Sequence, residues 1–353
     1  MKKLKIGIIG CGGIGNVHAR TYKVFPEECE IVAACDIDSE KLARFAKNHE
    51  IPNTYTDYNE MIKNEQLDCI SVCTWNSAHA CAAIAALDGG VNVICEKPMA
   101  MNAAEAEEML KARDRSGKIL MIGFCRRFGE DAKMMLDFIN SGTMGDIYYA
   151  KATYLRRNGF PGGWFGDSKY SRGGPLIDLG VHVMDLVRYL AGCPKPVEAF
   201  GVTYNNLGIG RAKGEPKAWS SSTKGDFKYD VEDFCSAMVR FDNGLTLVLE
   251  TSFNLNLKKD TGYVDIFGTK AGAHMENGIE LYTDIDGHFI NATPTGKTTF
   301  EFDGIFRGEI KSFLECVRGE HPCVTPAEDG VAIMKIIDAV YESAKTGKSV
   351  TIK

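Results

Sequence analysis

Short apolar runs separated by longer stretches of helical spacing set the rhythm of the first third of the chain. Runs at 4–9, 30–35, 68–73, 91–95 and 119–124 have the length of buried strands, and intervening segments such as 39–48 and 102–115 carry a helical period. Strand alternating with helix predicts a parallel sheet with helices on both faces. After Gly123-Phe124 the rhythm changes. A helix is predicted near 130–140, then long strand-like runs at 146–156, 197–204, 229–241, 244–253 and 262–267, several of which alternate apolar with polar residues. Asp242-Asn243-Gly244 sits between two of these runs and predicts a hairpin whose central turn residues tolerate positive φ. Residues 205–228, rich in Gly, Lys and Ser, predict a long loop. Helices at 304–318 and 326–346 close the chain, the second opening on Pro326 with Glu328 and Asp329 in its first turn. The expected fold class is α/β, with a doubly wound parallel sheet over 1–124 and a C-terminal α+β domain with a large, mostly antiparallel open sheet over 125–353.

Length and composition narrow the function classes. A chain of 353 residues exceeds one ordinary core, and 44% hydrophobic with 25% charged residues is the composition of a folded globular protein. A formal net charge of -6 leaves no basic stripe for phosphates and argues against nucleic acid as a partner. No apolar run approaches the ~20 residues of a membrane span. Leu4 to Ile9 is broken by Lys5 and Gly7 and has no small-residue cleavage site after it, so it reads as a strand and not as a signal peptide. A cytoplasmic protein is expected. Its 12 cysteines are scattered through apparent core segments without a C-x-x-C pair, which predicts reduced thiols. Cys69 and Cys73 share one strand face as core filling, and no metal is expected.

Gly10-Cys11-Gly12-Gly13-Ile14-Gly15 is a G-x-G-x-x-G set directly after a strand and directly before a helical pattern. In that context the first glycine permits a tight turn, the second lets backbone approach a pyrophosphate, and the third lets helix pack on strand. The second strand ends on Asp36, about twenty residues further on, where a carboxylate accepts bonds from an adenosine ribose. Asp36 is followed by Ile37 and Asp38 rather than by a cation, so NAD is expected over NADP. The N-terminal unit is therefore expected to be a Rossmann domain. Ligands in such sheets lie beyond the carboxyl ends of strands, which draws in Thr74-Trp75-Asn76, His79 and Glu96-Lys97-Pro98. Trp75 as a packing aromatic and His79 as a helix-surface residue are the plainer alternatives.

Gly173 to Asp185 reads as a glycine-rich approach to a helix. Asp178, His182 and Asp185 stand at i, i+4 and i+7 and fall in one narrow sector, while Leu179, Val183, Leu186 and Leu190 form an apolar face beside it. An imidazole beside carboxylates is suited to taking an alcohol proton near neutral pH. A solvated helix face with a surface histidine is the alternative.

These strings together resemble the Gfo/Idh/MocA oxidoreductases, the group of glucose-fructose oxidoreductase and inositol dehydrogenase. The likeness runs through the glycine motif, Glu96-Lys97-Pro98, Gly-Phe-Cys-Arg-Arg-Phe at 123–128, the Gly-Gly-x-x-x-Asp-x-Gly-x-His-x-x-Asp string at 173–185, Val-Glu-Asp at 231–233 and Thr-Pro-Ala-Glu-Asp-Gly at 325–330. Trp75 stands where the family often has proline. The resemblance implies that Lys97 lies at the nicotinamide and binds the reacting oxygen, that His182 is the general base, and that Asp178 holds substrate and base. It also implies cofactor contacts from Gly10, Gly12, Gly13, Ile14, Gly15, Asp36, Ile37, Thr74, Trp75, Asn76, His79, Glu96 and Lys97. Arg127, Arg156, Trp164 and Asp178 are the substrate candidates. The expected function is an NAD-dependent dehydrogenase of a sugar, glycoside or cyclitol, working as a homodimer or homotetramer through the C-terminal sheet. An NAD-recycling glycosidase-like or lyase-like enzyme and a non-catalytic NAD-binding regulatory protein remain as alternatives.

Overall fold

The computed structural model describes residues 2–208, 228–296, 298–299 and 301–353. The loop expected over 205–228 therefore falls almost wholly outside the described residues. Six strands form the first sheet: β1 (Leu4–Ile9), β2 (Cys29–Cys35), β3 (Asn53–Tyr55), β4 (Cys69–Val72), β5 (Asn92–Glu96) and β6 (Leu120–Gly123). Their order is β3-β2-β1-β4-β5-β6 and every pairing is parallel. Helices α1 (Gly13–Tyr22), α2 (Ser39–His49), α3 (Tyr58–Asn64), α4 (Asn76–Asp88) and α5 (Ala103–Ser116) connect them. Burial on both faces explains why β1, β4 and β5 read as near-continuous apolar runs. The stretches expected at 39–48 and 102–115 lie within a residue of α2 and α5, and each helix is capped by a side chain: Asp38 accepts from Lys41 N and Asn102 from Glu105 N. β3 and α3 were not foreseen, since three residues with Asn53 and Thr54 exposed carry no strand period. The strand order reverses between β1 and β4, which makes the crevice above them the expected ligand position in such a sheet.

The second sheet has nine strands in the order β14-β13-β12-β11-β7-β10-β9-β8-β15. They are β7 (Ile147–Leu155), β8 (Pro196–Tyr204), β9 (Phe234–Phe241), β10 (Thr246–Ser252), β11 (Thr261–Gly268), β12 (Ala271–Met275), β13 (Ile279–Ile285), β14 (His288–Ala292) and β15 (Val350–Thr351). All pairings are antiparallel except β7 with β10. The hairpin at 242–244 is present with a different turn. Gly244 alone of the three has positive φ, and its N–H donates to Phe241 O at 3.1 Å, the arrangement of a type I turn followed by a left-handed glycine. The last part of the run expected at 229–241 is β9; residues before Phe234 form a loop that serves the site described below.

Helices α6 (Glu130–Asn140), α7 (Ser168–Ser171) and α8 (Val181–Leu190) lie between β6 and β8 in the chain, and α9 (Phe302–Val317) and α10 (Ala327–Thr346) follow β14. Pro326 caps α10 in an extended conformation, one residue before its first turn. The closing helices tie the two sheets together. Ile310, Phe313 and Leu314 of α9 share a core with Ile6 and Ile8 of β1, and Ile122 N of β6 donates to Thr325 O at 2.9 Å. α10 packs against both α5 and β8. All 12 cysteines are free thiols, Cys69 and Cys73 among the buried ones. Among the described residues no helix is long and apolar enough to cross a membrane.

Candidate active site

The glycine turn after β1 is shaped by contacts that no side chain tolerates. Gly10 has φ +98, and a Cβ there lies 2.4 Å from Cys73 O. A Cβ on Gly15 lies 2.1 Å from Gly10 O, so α1 closes directly onto the turn. Gly12, by contrast, has nothing within 4 Å of the position of a Cβ and caps α1 without a side-chain bond. Gly13 and Ile14 form the first turn of that helix. The result is an open cradle of backbone N–H groups at a helix N-terminus, which suits a pyrophosphate. Asp36, at the end of β2, accepts from Cys11 N at 2.8 Å and from Asp38 N at 2.9 Å, which fixes its carboxylate at the rim of this turn. Ile37 beside it is 77% exposed, an apolar surface of the kind that an adenine ring covers. The residues present thus fit a dinucleotide.

Lys97 follows β5 and Asp178 approaches it from the second part of the chain. Lys97 Nζ lies 2.9 Å from Asp178 Oδ1 and donates to Asp178 O at 3.0 Å. Burial acts to lower the Lys97 pKa, but the charge and hydrogen bond of Asp178 outweigh it and hold the ammonium above the ordinary lysine value. Asp178 stands in a π-turn, Leu176–Gly180, that runs into α8. His182, on the first turn of α8, is half-buried, and among the described residues its buried Nδ1 has no hydrogen-bond partner. Burial first, then the charges of Lys97, Arg126 and Arg156, push its pKa well below 6.5. The near-neutral ionisation that the sequence suggests is thus moved down, and the imidazole is neutral at physiological pH.

Glu232 holds this approach in place, a role the sequence did not assign. Its carboxylate accepts from Gly174 N at 2.9 Å, Leu176 N at 3.1 Å and Tyr341 OH at 3.0 Å. The two preceding glycines are needed for that fit: a Cβ on Gly173 meets Tyr341 OH at 1.9 Å, and one on Gly174 meets Glu232 O at 2.0 Å. Asp233 then accepts from Leu207 N and Gly208 N.

The other expected site residues have the following surroundings. Arg127 is buried, with Nε and Nη2 on Asp185, Nη1 on Asp329 Oδ2 at 2.9 Å and on Val324 O at 2.8 Å. It cannot reach a substrate, and Asp185 turns into the core with it instead of flanking His182. The π-turn breaks the seven-residue return from Asp178 to Asp185, while within the regular α8 Asp185 falls on the buried side and His182 does not. His79 is neither on the surface nor open to a ligand: its ring bonds Pro98 O at 2.7 Å and Thr74 O at 3.2 Å, fastening the two strand-end loops together. Asn76, also buried, gives its amide to Ser171 O at 3.0 Å. Trp75 meets Tyr170 edge-on at 4.6 Å. Thr74 turns its hydroxyl to Trp75 O, and Glu96 accepts from Lys97 N at 3.2 Å. Trp164 is buried and stacked on Phe165 at 4.0 Å. Arg156 bonds Gly159 O at 3.1 Å and Tyr154 OH at 3.3 Å. Its charge bears on His182, and it also lines a cavity of about 540 Å³ with Tyr154, Lys259, Asp260, Glu276 and Asn277.

The relatives agree with this architecture. Residues 4–124 match the oxidoreductase family with an NAD-binding Rossmann fold, and residues 133–274 match the GFO/IDH/MocA C-terminal domain. The chain is 32% identical over 352 residues to the D-glucoside 3-dehydrogenase of Escherichia coli K12, covering 99% of this chain and 97% of that one. It is 25% identical over 358 residues to the myo-inositol 2-dehydrogenase of Thermotoga maritima, covering 99% of each. A levoglucosan dehydrogenase solved with NADH superposes over 100% of both chains with a TM-score of 0.85 at 23% identity. The chain belongs to the Gfo/Idh/MocA family of NAD-binding oxidoreductases.

Proposed function

We infer that the protein is an NAD-dependent dehydrogenase that oxidises a secondary alcohol of a sugar, glycoside or cyclitol. The observation that carries this reading is the Lys97–Asp178 pair, joined by a neutral His182, at the strand ends beside the glycine cradle. The named relatives act on a glucoside and on an inositol, both cyclic polyols, which supports the substrate class. NAD, when bound, supplies the hydride acceptor. The backbone of Gly10, Gly12, Gly13, Ile14 and Gly15 holds its pyrophosphate, and Asp36 its ribose. Lys97 sets its ammonium on the reacting oxygen and stabilises the negative charge that grows there as the O–H proton leaves. His182 accepts that proton at Nε2. Asp178 keeps Lys97 charged and fixed in direction, and Arg156, whose charge bears on His182, is the candidate contact to the sugar. Residues 1–124 form the cofactor domain and 125–353 the substrate domain. Incubation with NAD and a panel of sugars, glycosides and cyclitols tests the reading: continuous NADH formation with one class is expected, and none with any class overturns it.

The same reading includes assembly through the open face of the nine-stranded sheet. Phe200, Met238 and Val248 lie in register across β8, β9 and β10, and Phe200 and Met238 are exposed. An apolar row of this kind on an uncovered sheet face is suited to a second copy. Light scattering is expected to give the mass of a dimer or tetramer, and a monomeric mass contradicts it.

A further inference from the structure

Behind Lys97, away from the cleft, lies a second cluster of ionisable groups. His18 of α1, Glu96 of β5 and Glu309 of α9 bring one ring nitrogen and two carboxylate oxygens within 4.8 Å of one another, and all three residues are buried. Distance along the chain hid this cluster from the sequence. Two of the members are bonded: His18 Nε2 lies 2.9 Å from Glu96 Oε1. The donors can be followed outward, since Tyr22 OH lies 2.8 Å from Ser71 Oγ and Ser71 Oγ lies 3.2 Å from His18 Nδ1. With Tyr22 donating to Ser71, Ser71 to His18 Nδ1 and His18 Nε2 to Glu96, each of these groups has a partner. Glu309 stands apart from this order. It is fully buried, and among the described residues neither carboxyl oxygen has a hydrogen-bond partner. As a carboxylate it would be an uncompensated charge beside Glu96, an arrangement that costs several kcal/mol.

We propose that Glu309 is carried as an un-ionised carboxylic acid facing Glu96, so that the pocket behind Lys97 holds one negative charge and not two, and that Glu309 thereby acts as a positioning residue for Lys97. The groups that face it are Glu96, His18, Cys73 after β4 and Cys125 in the turn Cys125–Phe128, and no lysine or arginine is among them. Burial first and the charge of Glu96 second push its pKa well above 4.5. Glu96 in turn bears on Lys97 in two ways, accepting from its backbone N–H and raising the pKa of its ammonium. A neutral dipole from Glu309 therefore supports the charge that supports Lys97.

The functional arm of this inference rests on the role proposed for Lys97, whereas the stability arm needs no substrate. In the unfolded chain Glu309 ionises above about 4.5, while the folded protein keeps its proton, so its contribution to stability falls as pH rises above that value. Glu309→Gln cannot ionise in either state. The full-length variant is expected to unfold at a higher temperature than the wild type at alkaline pH, with the gain shrinking to nothing as pH falls toward 4.5. On the active enzyme, Glu309→Leu is expected to move the alkaline limb of kcat/KM to lower pH in the same direction as Glu96→Gln, and Glu309→Gln, which still presents a donor, is expected to restore it. Loss of stability of Glu309→Gln at alkaline pH would overturn the proposal, as would a limb displaced in Glu309→Gln as far as in Glu96→Gln. Stoichiometric divalent metal in the purified wild type, lost in Glu309→Gln, would also overturn it, by showing that a cation and not a proton neutralises the cluster.

Discussion

Replacing either Lys97 or His182 with alanine is expected to lower turnover by about 10²–10⁴-fold, the usual contribution of a positioned acid or base. Cofactor affinity is expected to stay almost unchanged, because the glycine cradle and Asp36 lie on other elements and share no bond with either side chain. The pH dependence follows from the two shifts. His182 must be neutral to accept a proton, and its pKa is pushed well below 6.5, so the acid limb of kcat/KM lies below that value and disappears in His182→Ala. Lys97 must be protonated to hold the developing negative charge, and its pKa is raised, so the alkaline limb belongs to Lys97. Because both act on one proton and one oxygen, the double variant is expected to lose less than the product of the single losses. Steady-state kinetics on the preferred substrate, with calorimetry for NAD, checks each point. Near-normal turnover in His182→Ala would place the base elsewhere.

Arg127→Ala is expected to destabilise the protein by about 3–5 kcal/mol, the cost of removing one partner from a buried ion pair. The guanidinium spans three elements. It binds Asp185 of α8 and Asp329 of α10, accepts the Tyr189 ring against its face at 4.5 Å, and bonds Val324 O. Asp329 is shared with Arg188, which also bonds Pro194 O and Cys193 O. Without Arg127, Asp185, whose pKa burial already raises, is left fully buried without its partner, so the α8 that carries His182 loses its fastening to α10. Arg127→Lys does not restore the bidentate geometry and is expected to recover little. Denaturant unfolding measures the loss. A variant of wild-type stability with a raised KM would instead return Arg127 to the substrate site.

How much of this was legible depended on whether the signal was local. The glycine turn and Asp36 are short-range features, and each stands where its spacing put it. Lys97 and Asp178 lie far apart in the chain, and the family resemblance, not periodicity, joined them. Periodicity erred in carrying one helix face from Asp178 through to Asp185, because a helical wheel assumes a regular helix and Leu176–Gly180 is a π-turn. It was silent on β12, β13 and β14: β14, exposed at every position, has no buried face to impose a period of two, whereas β12 and the first half of β13 do alternate and were passed over. Glu232 and Glu309 act through backbone groups or partners remote in sequence, and only the packed structure brings those within reach.

The most direct test of the central claim is the ratio of NADH to oxidised product over many turnovers of the wild-type enzyme with its preferred polyol. A dehydrogenase that passes hydride to NAD and releases it gives one NADH per oxidised product, with the reaction stopping when NAD is spent. Product formed in large excess over NADH, from cofactor that never leaves the protein, would contradict it and identify an enzyme that returns the hydride within each cycle.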